Sequence, residues 1–321
     1  MRVGQNPAKF VADLPKPAKV TIAMITYIPF LGGYFAESLD VLKTSLQSLW
    51  TNTSQPFDLM IFDNASCPEV RSFLNDAQAA GRIQYLVLSA ANFGKAAAWN
   101  FLFNAAPGEV LAYADADIYF EPGWLEALTA VLDAFPQAGM VTGIPMWSPD
   151  EFSTETIDWA RRTPGVHLEH GKLLPWEDYW KHARSLGQTE AEARSNFANQ
   201  EETVLQIGAS RYYVGAGHFQ FVARKAVLQE ILPIEAERPM GQVRRLDAAL
   251  NDRGYLRLST SGWWVRHLGN SLEGADLPPE AAVPPLRPPR RPLQRLVQWI
   301  YHRAFEYLYK SKNEWRETNR V

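Results

Sequence analysis

The stretch that most constrains the fold is Val-Leu-Ala-Tyr-Ala-Asp-Ala-Asp, residues 110–117. Five apolar residues end abruptly in two carboxylates, Asp115 and Asp117, one residue apart. A short apolar run without helical stagger is typical of a strand buried on both faces of a parallel sheet. Ligands of such sheets bind beyond the carboxyl ends of the strands. The stretch therefore predicts an α/β fold with both aspartates at the ligand-binding edge.

The spacing of the two aspartates predicts a metal site. Residues two apart on an extended strand point the same way, so Asp115 and Asp117 would repel one another without a cation between them. Oxygen ligands suit a hard divalent ion such as Mg²⁺ or Mn²⁺. The alternative is that Asp117 caps a helix beginning near Pro122, while Asp115 is solvated in a loop. The buried strand before the pair favours the metal.

Composition narrows the class of protein. The 321 residues are 46% hydrophobic and 12% aromatic, as in a folded chain of one large domain or two ordinary ones. A net charge of −3 argues against a nucleic-acid binder, and the single cysteine excludes an internal disulfide and a cysteine-based zinc site. Residues 1–19 hold no signal peptide, and no apolar run reaches the roughly 20 residues of a membrane span. We therefore expect a cytoplasmic protein.

Strand-like and helix-like segments alternate with short connections through the first 145 residues. This alternation predicts a doubly wound α/β sheet. No G-x-G-x-x-G follows the first strand and no Walker loop occurs, which argues against a dinucleotide dehydrogenase and a P-loop ATPase. The predicted strands are 20–26, 57–62, 83–88, 110–114 and 140–142, and predicted helices begin at Ser38 and span 69–80, 96–104 and 122–135.

Seven short segments, each weak alone, become specific through their order and spacing. Together they resemble the family 2 glycosyltransferases and their GT-A fold relatives over residues 20 to about 270. The resemblance implies a GT-A type doubly wound mixed sheet with a nucleotide-sugar-binding half and an acceptor half. It also implies a metal-dependent enzyme that transfers a sugar to an acceptor hydroxyl. The segments are 21–27, 63–66, 92–95 with Asn100, 115–117, 215–219, 245–250 and 265–267.

The resemblance implies a nucleotide-sugar site at the ends of the first strands. Thr26 and Tyr27 would flank the base, and Asp63 would accept hydrogen bonds from the base or ribose. The implied nucleotide-sugar contacts are Thr26, Tyr27, Asp63, Asn92, Gly94, Lys95, Asp115, Ala116 and Asp117, and the implied ligands of Mn²⁺ or Mg²⁺ are Asp117, His267 and Asp115.

Three of these residues have structural alternatives. Asp63 follows a strand and could close an Asx-turn. His267 follows Gly-Trp-Trp-Val, residues 262–265, and could be a satisfied side chain on a strand. Lys95 could be an exposed surface lysine. The resemblance favours the metal role of His267 and leaves both interpretations of Lys95 open.

The second half is predicted to carry the acceptor side. A helix over 242–253 presents Asp247, which the resemblance implies as the base that deprotonates the acceptor hydroxyl. Leu246 stands where the family has a glutamate, so Asp247 is a lone carboxylate. Arg244 and Arg245 are expected to keep it ionised if they point inward. A predicted strand, 215–222, would lie over the donor-sugar or acceptor pocket and begins with Gly215, Ala216, Gly217 and His218.

Residues 148–207 form a connection too long for a simple loop, with a helix predicted over 189–200. The segment resembles a family-specific insertion that shapes the acceptor site. Its aromatic residues Trp176, Tyr179 and Trp180 could stack on sugar rings or form the core stripe of a helix.

The end of the chain differs in composition. Residues 287–321 contain nine Lys or Arg and three Glu, hence a charge of +6. We predict a Pro-rich linker over 273–292 and a basic amphipathic helix over 293–321. Such a helix could bind an anionic membrane or dock on the domain or another subunit. The remaining predicted units are an extension, 1–17, and a GT-A domain, 18–272, with halves 18–145 and 146–272.

The partners follow from the resemblance. A UDP-sugar is the favoured donor, with GDP- and dTDP-sugars as alternatives, and the acceptor would be a saccharide or a lipid-linked molecule of surface polysaccharide or glycolipid synthesis. No nucleic acid is expected, and membrane contact would place the enzyme on the inner face. Inversion is favoured over retention. A nucleotidyltransferase is disfavoured because residues 26–33 lack a basic residue, and a carbohydrate-binding protein would need no metal pair.

Deleting residues 287–321 should leave the catalytic domain folded, because the Pro-rich linker separates two differently patterned regions. Sedimentation with anionic vesicles should show binding by the full chain, weakened by salt, and none by the deletion, since surface attraction is screened over about 8 Å. If the full chain does not bind vesicles and the truncated chain melts at a much lower temperature, the helix is instead part of the folded structure.

Overall fold

The computed structural model describes residues 6–238 and 243–273, together with residues 275, 277, 300, 303 and 304. Its strands are β1 Val20–Thr26, β2 Phe57–Asp63, β3 Tyr85–Leu88, β4 Val110–Asp115, β5 Ile118–Phe120, β6 Ala138–Thr142, β7 Val166–Gly171, β8 Glu202–Ile207, β9 Ser210–Val214, β10 Gln220–Arg224, β11 Leu256–Thr260 and β12 Val265–His267. Its α-helices are α1 Ser38–Asn52, α2 Pro68–Ala79, α3 Gly94–Ala105, α4 Trp124–Ala134, α5 Thr154–Arg162, α6 Trp176–Ser185, α7 Glu190–Ala198, α8 Lys225–Glu230 and α9 Arg244–Asp252.

Ten of these strands form one mixed sheet in the order β3-β2-β1-β4-β10-β6-β11-β9-β8-β7. The first four are parallel, while β10 lies antiparallel between β4 and β6. The register pairs Thr26 with Asp63 and Ile25 with Asp115, so these strands end at one edge. The predicted doubly wound mixed α/β sheet is confirmed.

Strand β4 separates two hydrophobic cores. Ala112 and Ala114 belong to the core on one face of the sheet, and Leu111 and Tyr113 belong to the core on the other. All four residues are at most 1% exposed. The predicted burial on both faces is therefore confirmed, and the apolar alternation explains it, because neighbouring side chains of a strand point to opposite faces.

The chain turns directly after β4. Residues 116 and 117 form a turn into β5, which pairs with β12 in a separate two-stranded sheet. The prediction that extended geometry carries Asp115 and Asp117 in one direction is therefore wrong. The helix-cap alternative for Asp117 is also wrong, because β5 stands between that residue and α4.

The predicted strand over 215–222 is wrong in its first half. Strand β9 ends at Val214, residues 215–219 form a loop, and β10 begins at Gln220. Gly215 has a φ of 109°, and a Cβ there would lie 2.2 Å from the Ser148 Cβ. The glycine thus allows a turn and a close approach rather than a continued ladder. The predicted strand 262–265 is shifted too, to β12, and β11 was not predicted.

The long segment 148–207 contains α5, β7, α6, α7 and β8. Strands β7, β8 and β9 are antiparallel neighbours and extend the sheet at its far edge. In α6, the rings of Trp176 and Trp180 stack at 5.9 Å between centroids, and Phe197 of α7 meets Trp176 at 5.4 Å. The aromatic residues of this segment pack against one another, as their helical spacing suggested.

The predicted linker and amphipathic helix, 273–292 and 293–321, lie outside the described residues except at the isolated positions named above. Within the part of the chain that the structure describes, none of the helices combines the length and apolar character needed to cross a bilayer.

Candidate active site

Asp63 ends β2 in a fully buried position. Its Oδ1 accepts a hydrogen bond from Thr26 Oγ1 at 3.0 Å, and its Oδ2 accepts from Ser66 N and from Arg71 Nε, each at 3.2 Å. The contact with Ser66 closes the turn after β2, but it reaches three residues on, one farther than the Asx-turn alternative requires. Arg71 of α2 had not been singled out, because nothing in the α2 sequence distinguishes it from a surface arginine.

Asn92 organises the entry into α3. Its Oδ1 accepts from Asn64 Nδ2 and from Gly94 N, each at 2.8 Å, while Asn64 Oδ1 accepts from Phe93 N at 2.9 Å. Gly94 has a φ of 84°, which lets the chain turn into the helix. Tyr27, 40% exposed, follows Thr26. The structure thus brings the ends of β1 and β2 and the start of α3 together.

Lys95 is buried, so the surface-lysine alternative is wrong. Its Nζ lies 2.6 Å from Asp115 Oδ2 and 5.1 Å from the centroid of the Trp99 ring. Tyr113 donates its hydroxyl to Asp115 Oδ1 at 2.5 Å. Burial and, next, the charge of Asp115 raise the pKa of Tyr113 well above its usual value, so the phenol keeps its proton. Both oxygens of Asp115 are therefore engaged.

Asp117 and His267 meet because β5 and β12 are paired. The backbone N–H of Leu268 donates to the carbonyl of Asp117 at 2.7 Å, and His267 Nε2 lies 3.4 Å from Asp117 Oδ2. Desolvation raises the pKa of Asp117; His267 opposes this effect, and Asp115 adds to it. Ala116, which separates the two aspartates, lies in the turn.

The residues around Asp117 fit a divalent cation. Asp117 Oδ1 is buried and has no hydrogen-bond partner among the described residues, which leaves a carboxylate oxygen available as a ligand. His267 Nδ1 contacts Ser185 Oγ at 3.1 Å, leaving Nε2 toward Asp117. Over the described ranges, no group of three or more His, Cys, Asp or Glu residues is arranged around a metal position. Such ions commonly take one or two protein ligands together with phosphate oxygens and water.

His182 of α6 joins this cluster from the long segment and had not been predicted, since no motif surrounds it. Its ring lies 5.1 Å from that of Phe219 and 5.9 Å from that of His267. Burial and, next, His267 lower the pKa of His182 to about 3, so the ring is neutral. A cavity of about 250 Å³ adjoins the cluster, and its lining includes Lys181, His182, Arg184, Arg266, His267 and Asn270.

Asp247 lies in the first turn of α9 and is 2% exposed. Its Oδ1 is 2.9 Å from Arg257 Nη2, and its Oδ2 is 3.7 Å from His218 Nδ1. Oδ1 accepts no hydrogen bond from the residues the structure describes, so the contact with Arg257 is an ion pair without hydrogen-bond alignment. The loop 215–218 thus meets Asp247 through His218.

Arg257 of β11, rather than Arg244 or Arg245, supplies the charge beside Asp247. Arg245 lies 3.9 Å from Glu235 and Arg244 stacks over the Phe152 ring, so the expectation for these two is wrong. Burial lowers the pKa of Arg257; Asp247 opposes this effect, and Arg244 adds to it. A lone arginine inside the buried run Leu-Arg-Leu was the available sequence signal. The guanidinium of Arg257 also donates hydrogen bonds to the carbonyls of Phe152 and Ala216 and to the hydroxyl of Ser153.

One family model matches slightly less than half of the chain. The model of glycosyl transferase family 2 matches residues 34–186, which confirms the resemblance over that range. No curated protein matches the chain.

Several solved structures are partly similar. TarS residues 1–349 from S. aureus, in complex with UDP-GlcNAc, is 19% identical over 40% of this chain and 34% of that chain, with a TM-score of 0.33. The mannosyltransferase PcManGT from Pyrobaculum calidifontis, in complex with GDP-Man and Mn²⁺, is 14% identical over 78% and 57%, with a TM-score of 0.45. This chain thus covers less than two thirds of either protein, and at these TM-scores neither assigns a ligand to it.

Arg257→Met should lower the free energy of unfolding by about 3–5 kcal/mol, because it leaves the Asp247 carboxylate buried without its counter-charge. Urea denaturation measures the change. Adding Asp247→Asn should recover part of the loss, since the uncompensated charge is then gone. Arg245→Met, which breaks only surface pairs, is the control and should cost at most about 1 kcal/mol. Equal stability of Arg257→Met and the parent would contradict the importance of the pair.

Proposed function

We propose that this chain, in which residues 34–186 match glycosyl transferase family 2, is a metal-dependent glycosyltransferase that moves a sugar from a nucleotide-diphosphate sugar to an acceptor hydroxyl. The observation that carries the proposal is the pair Asp117–His267 at the carboxyl edge of the sheet. Its buried Oδ1 without a hydrogen-bond partner among the described residues suits a cation. The sequence contains neither G-x-G-x-x-G after the first strand nor a Walker loop to hold phosphate, and a cation at this edge would serve that purpose.

The donor is proposed to lie across the ends of β1, β2 and β4. Tyr27 is positioned to flank the base, and Thr26 and Asp63 to face the base or ribose. Binding would require Asp63 to exchange part of its present hydrogen bonds for the nucleotide. A UDP-sugar is favoured, with GDP- and dTDP-sugars as alternatives.

The chemistry follows from the charges that develop. Breaking the bond between the anomeric carbon and phosphate oxygen leaves negative charge on the diphosphate. A divalent cation held by Asp117 and His267, when bound, would stabilise that charge as a Lewis acid. Lys95 brings a second positive charge to the same edge while holding Asp115. Asp115 would then act on the ribose or sugar rather than as a principal metal ligand.

The acceptor is proposed to approach from the side of the loop 215–218 and α9. Asp247 is the carboxylate on that side, and removal of the acceptor proton depends on it. The outcome is proposed to be inversion by single displacement. A retaining reaction is the alternative, in which Asp247 would serve only to bind the acceptor.

The cavity beside His267 carries Lys181, Arg184 and Arg266, which suits an anionic group such as a phosphate.

The competing functions are a nucleotidyltransferase and a carbohydrate-binding protein. The absence of basic residues from 26–33 disfavours the first. A binding protein needs neither the Asp117–His267 pair nor a second buried acidic residue such as Asp247. The proposal also includes a GT-A domain over 18–272 and a basic C-terminal helix over 293–321. It places the protein in the cytoplasm, with the basic helix at the inner face of the membrane. A saccharide or lipid-linked acceptor of surface polysaccharide or glycolipid synthesis would fit that location.

Asp117→Asn should abolish turnover and weaken Mn²⁺ binding, because an amide oxygen is a poorer ligand for a hard cation than a carboxylate oxygen. Titration calorimetry of Mn²⁺ in the presence of nucleoside diphosphate measures the binding directly. EDTA should abolish the turnover of the parent protein as the substitution does, and added Mn²⁺ or Mg²⁺ should restore it. Asp158→Asn, at an exposed aspartate, is the matched control. Full activity of Asp117→Asn in the presence of chelator would contradict the proposed metal dependence.

Incubation with a panel of nucleotide-diphosphate sugars and hydroxyl acceptors should release nucleoside diphosphate and give a glycosylated product by mass spectrometry. Asp247→Asn should slow the chemical step by about 10²-fold or more with donor affinity preserved. Asp252→Asn, at an exposed position of the same helix, should behave as the parent. A panel that gives only unchanged donor, with donor bound, would favour the binding protein. In a second incubation with nucleoside triphosphates and sugar 1-phosphates, release of pyrophosphate with formation of a nucleotide-diphosphate sugar would favour the nucleotidyltransferase.

A further inference from the structure

His218 stands between the two halves of the candidate site. It lies in the loop between β9 and β10, and its Nδ1 is 3.7 Å from Asp247 Oδ2. On its other side, its ring meets Trp99 at 6.5 Å between centroids. Trp99 lies under Lys95, which holds Asp115. The imidazole therefore spans from the acceptor carboxylate to the donor edge of the sheet.

Exposure divides the roles of His218 and Asp247. The side chain of His218 is 31% exposed, whereas that of Asp247 is 4% exposed. Asp247 Oδ1 is paired with the fully buried Arg257, and its Oδ2 faces the imidazole. The ring of His218 is therefore the more accessible of the two groups to an incoming hydroxyl, and it lies beside Oδ2 of the carboxylate. The separation of 3.7 Å exceeds a hydrogen bond, and such contacts commonly tighten when substrate binds.

We propose that His218 is the base that takes the acceptor proton and that Asp247 is a positioning residue acting through it. The proposal rests on the proposed glycosyltransferase function. When the 3.7 Å separation tightens on substrate binding, Asp247 would accept a hydrogen bond from Nδ1–H and leave Nε2 as the proton acceptor, the logic of paired histidine and aspartate in other enzymes. Arg257 fixes Asp247 and, through its bond to the carbonyl of Ala216, the loop that carries His218.

The step balances as follows. The acceptor O–H bond breaks and its proton moves to His218 Nε2, while the acceptor oxygen forms a bond to the anomeric carbon. The bond from that carbon to the phosphate oxygen breaks, and its electron pair leaves with the nucleoside diphosphate. The imidazolium, stabilised by Asp247, then returns the proton to solvent through its exposed edge. No other reactant is needed.

The charged groups around His218 set its response to pH. Asp247 faces it from α9, and Arg257 lies behind Asp247 on β11. Toward α3 and β4 the ring meets Trp99, with Lys95 and Asp115 beyond it. Protonation of the imidazole would remove the base, so turnover should fall at acidic pH.

The test compares variants that keep the hydrogen bonds of histidine but cannot carry its proton. The amide of His218→Asn can replace Nδ1, and that of His218→Gln can replace Nε2. His218→Ala leaves space for added imidazole. His167→Gln, at an exposed position of β7, is the matched control. Turnover, donor affinity by calorimetry, melting and the pH profile are measured for each with the donor and acceptor that the parent uses.

The proposal expects both amide variants to lose about 10²-fold or more in turnover, the scale of general base catalysis, with donor affinity and melting unchanged. Added imidazole should restore part of the activity of His218→Ala but none of that of Asp247→Asn. The acidic limb of the parent's pH profile should be absent from the residual activity of His218→Gln.

Turnover of the amide variants within threefold of the parent would overturn the proposal and return the role of base to Asp247. Loss of donor affinity in proportion to turnover, or an Ala variant that imidazole does not rescue, would also overturn it. These outcomes are distinct from failure of the proposed function, because that failure would appear as absence of nucleoside diphosphate release by the parent protein.

Discussion

The burial of β4 on both faces is the constraint on which the rest of the structure depends. Its apolar residues join two cores, so the strand must lie inside the sheet, and the first polar residue after them must emerge at its edge. That residue is Asp115, and the turn that follows it contains Asp117. The residues proposed to contact the donor at the ends of β1 and β2 lie at the same edge because the strands are parallel and in register.

Three aspartates, Asp115, Asp117 and Asp247, are buried or partly buried in the candidate site, and each has a partner side chain that compensates for its lost hydration. Lys95 and Tyr113 engage Asp115, His267 faces Asp117, and Arg257 neutralises Asp247. Removing charged groups from water costs free energy unless partners compensate for the loss. Asp117 Oδ1 is a buried carboxylate oxygen with no hydrogen-bond partner within the described ranges, whereas the equally unbonded Oδ1 of Asp247 lies 2.9 Å from Arg257. For that reason our proposal places the cation at Asp117.

The loop 215–218 lies between the proposed donor and acceptor sides and departs from the predicted structure. A continuous strand was predicted over 215–222, but Gly215 turns the chain against Ser148. The turn brings His218 beside Asp247. Where the resemblance implies a glutamate this chain has Leu246, which is buried in the core. In our proposal His218, from a distant segment, supplies the second proton-binding group.

The sequence by itself determined the alternation of strands and helices through β6, apart from β5, the burial of β4 and the candidates Asp115 and Asp117. These follow from periodicity, which is a local property. Asp63, Asp247 and His267 became candidates through the resemblance to family 2 glycosyltransferases. Only the tertiary structure decided that Lys95 is buried against Asp115, that Arg257 pairs with Asp247 and that His182 joins His267. Each of these contacts joins elements far apart in sequence. Its partners are chosen by strand pairing and helix packing, which no local pattern encodes.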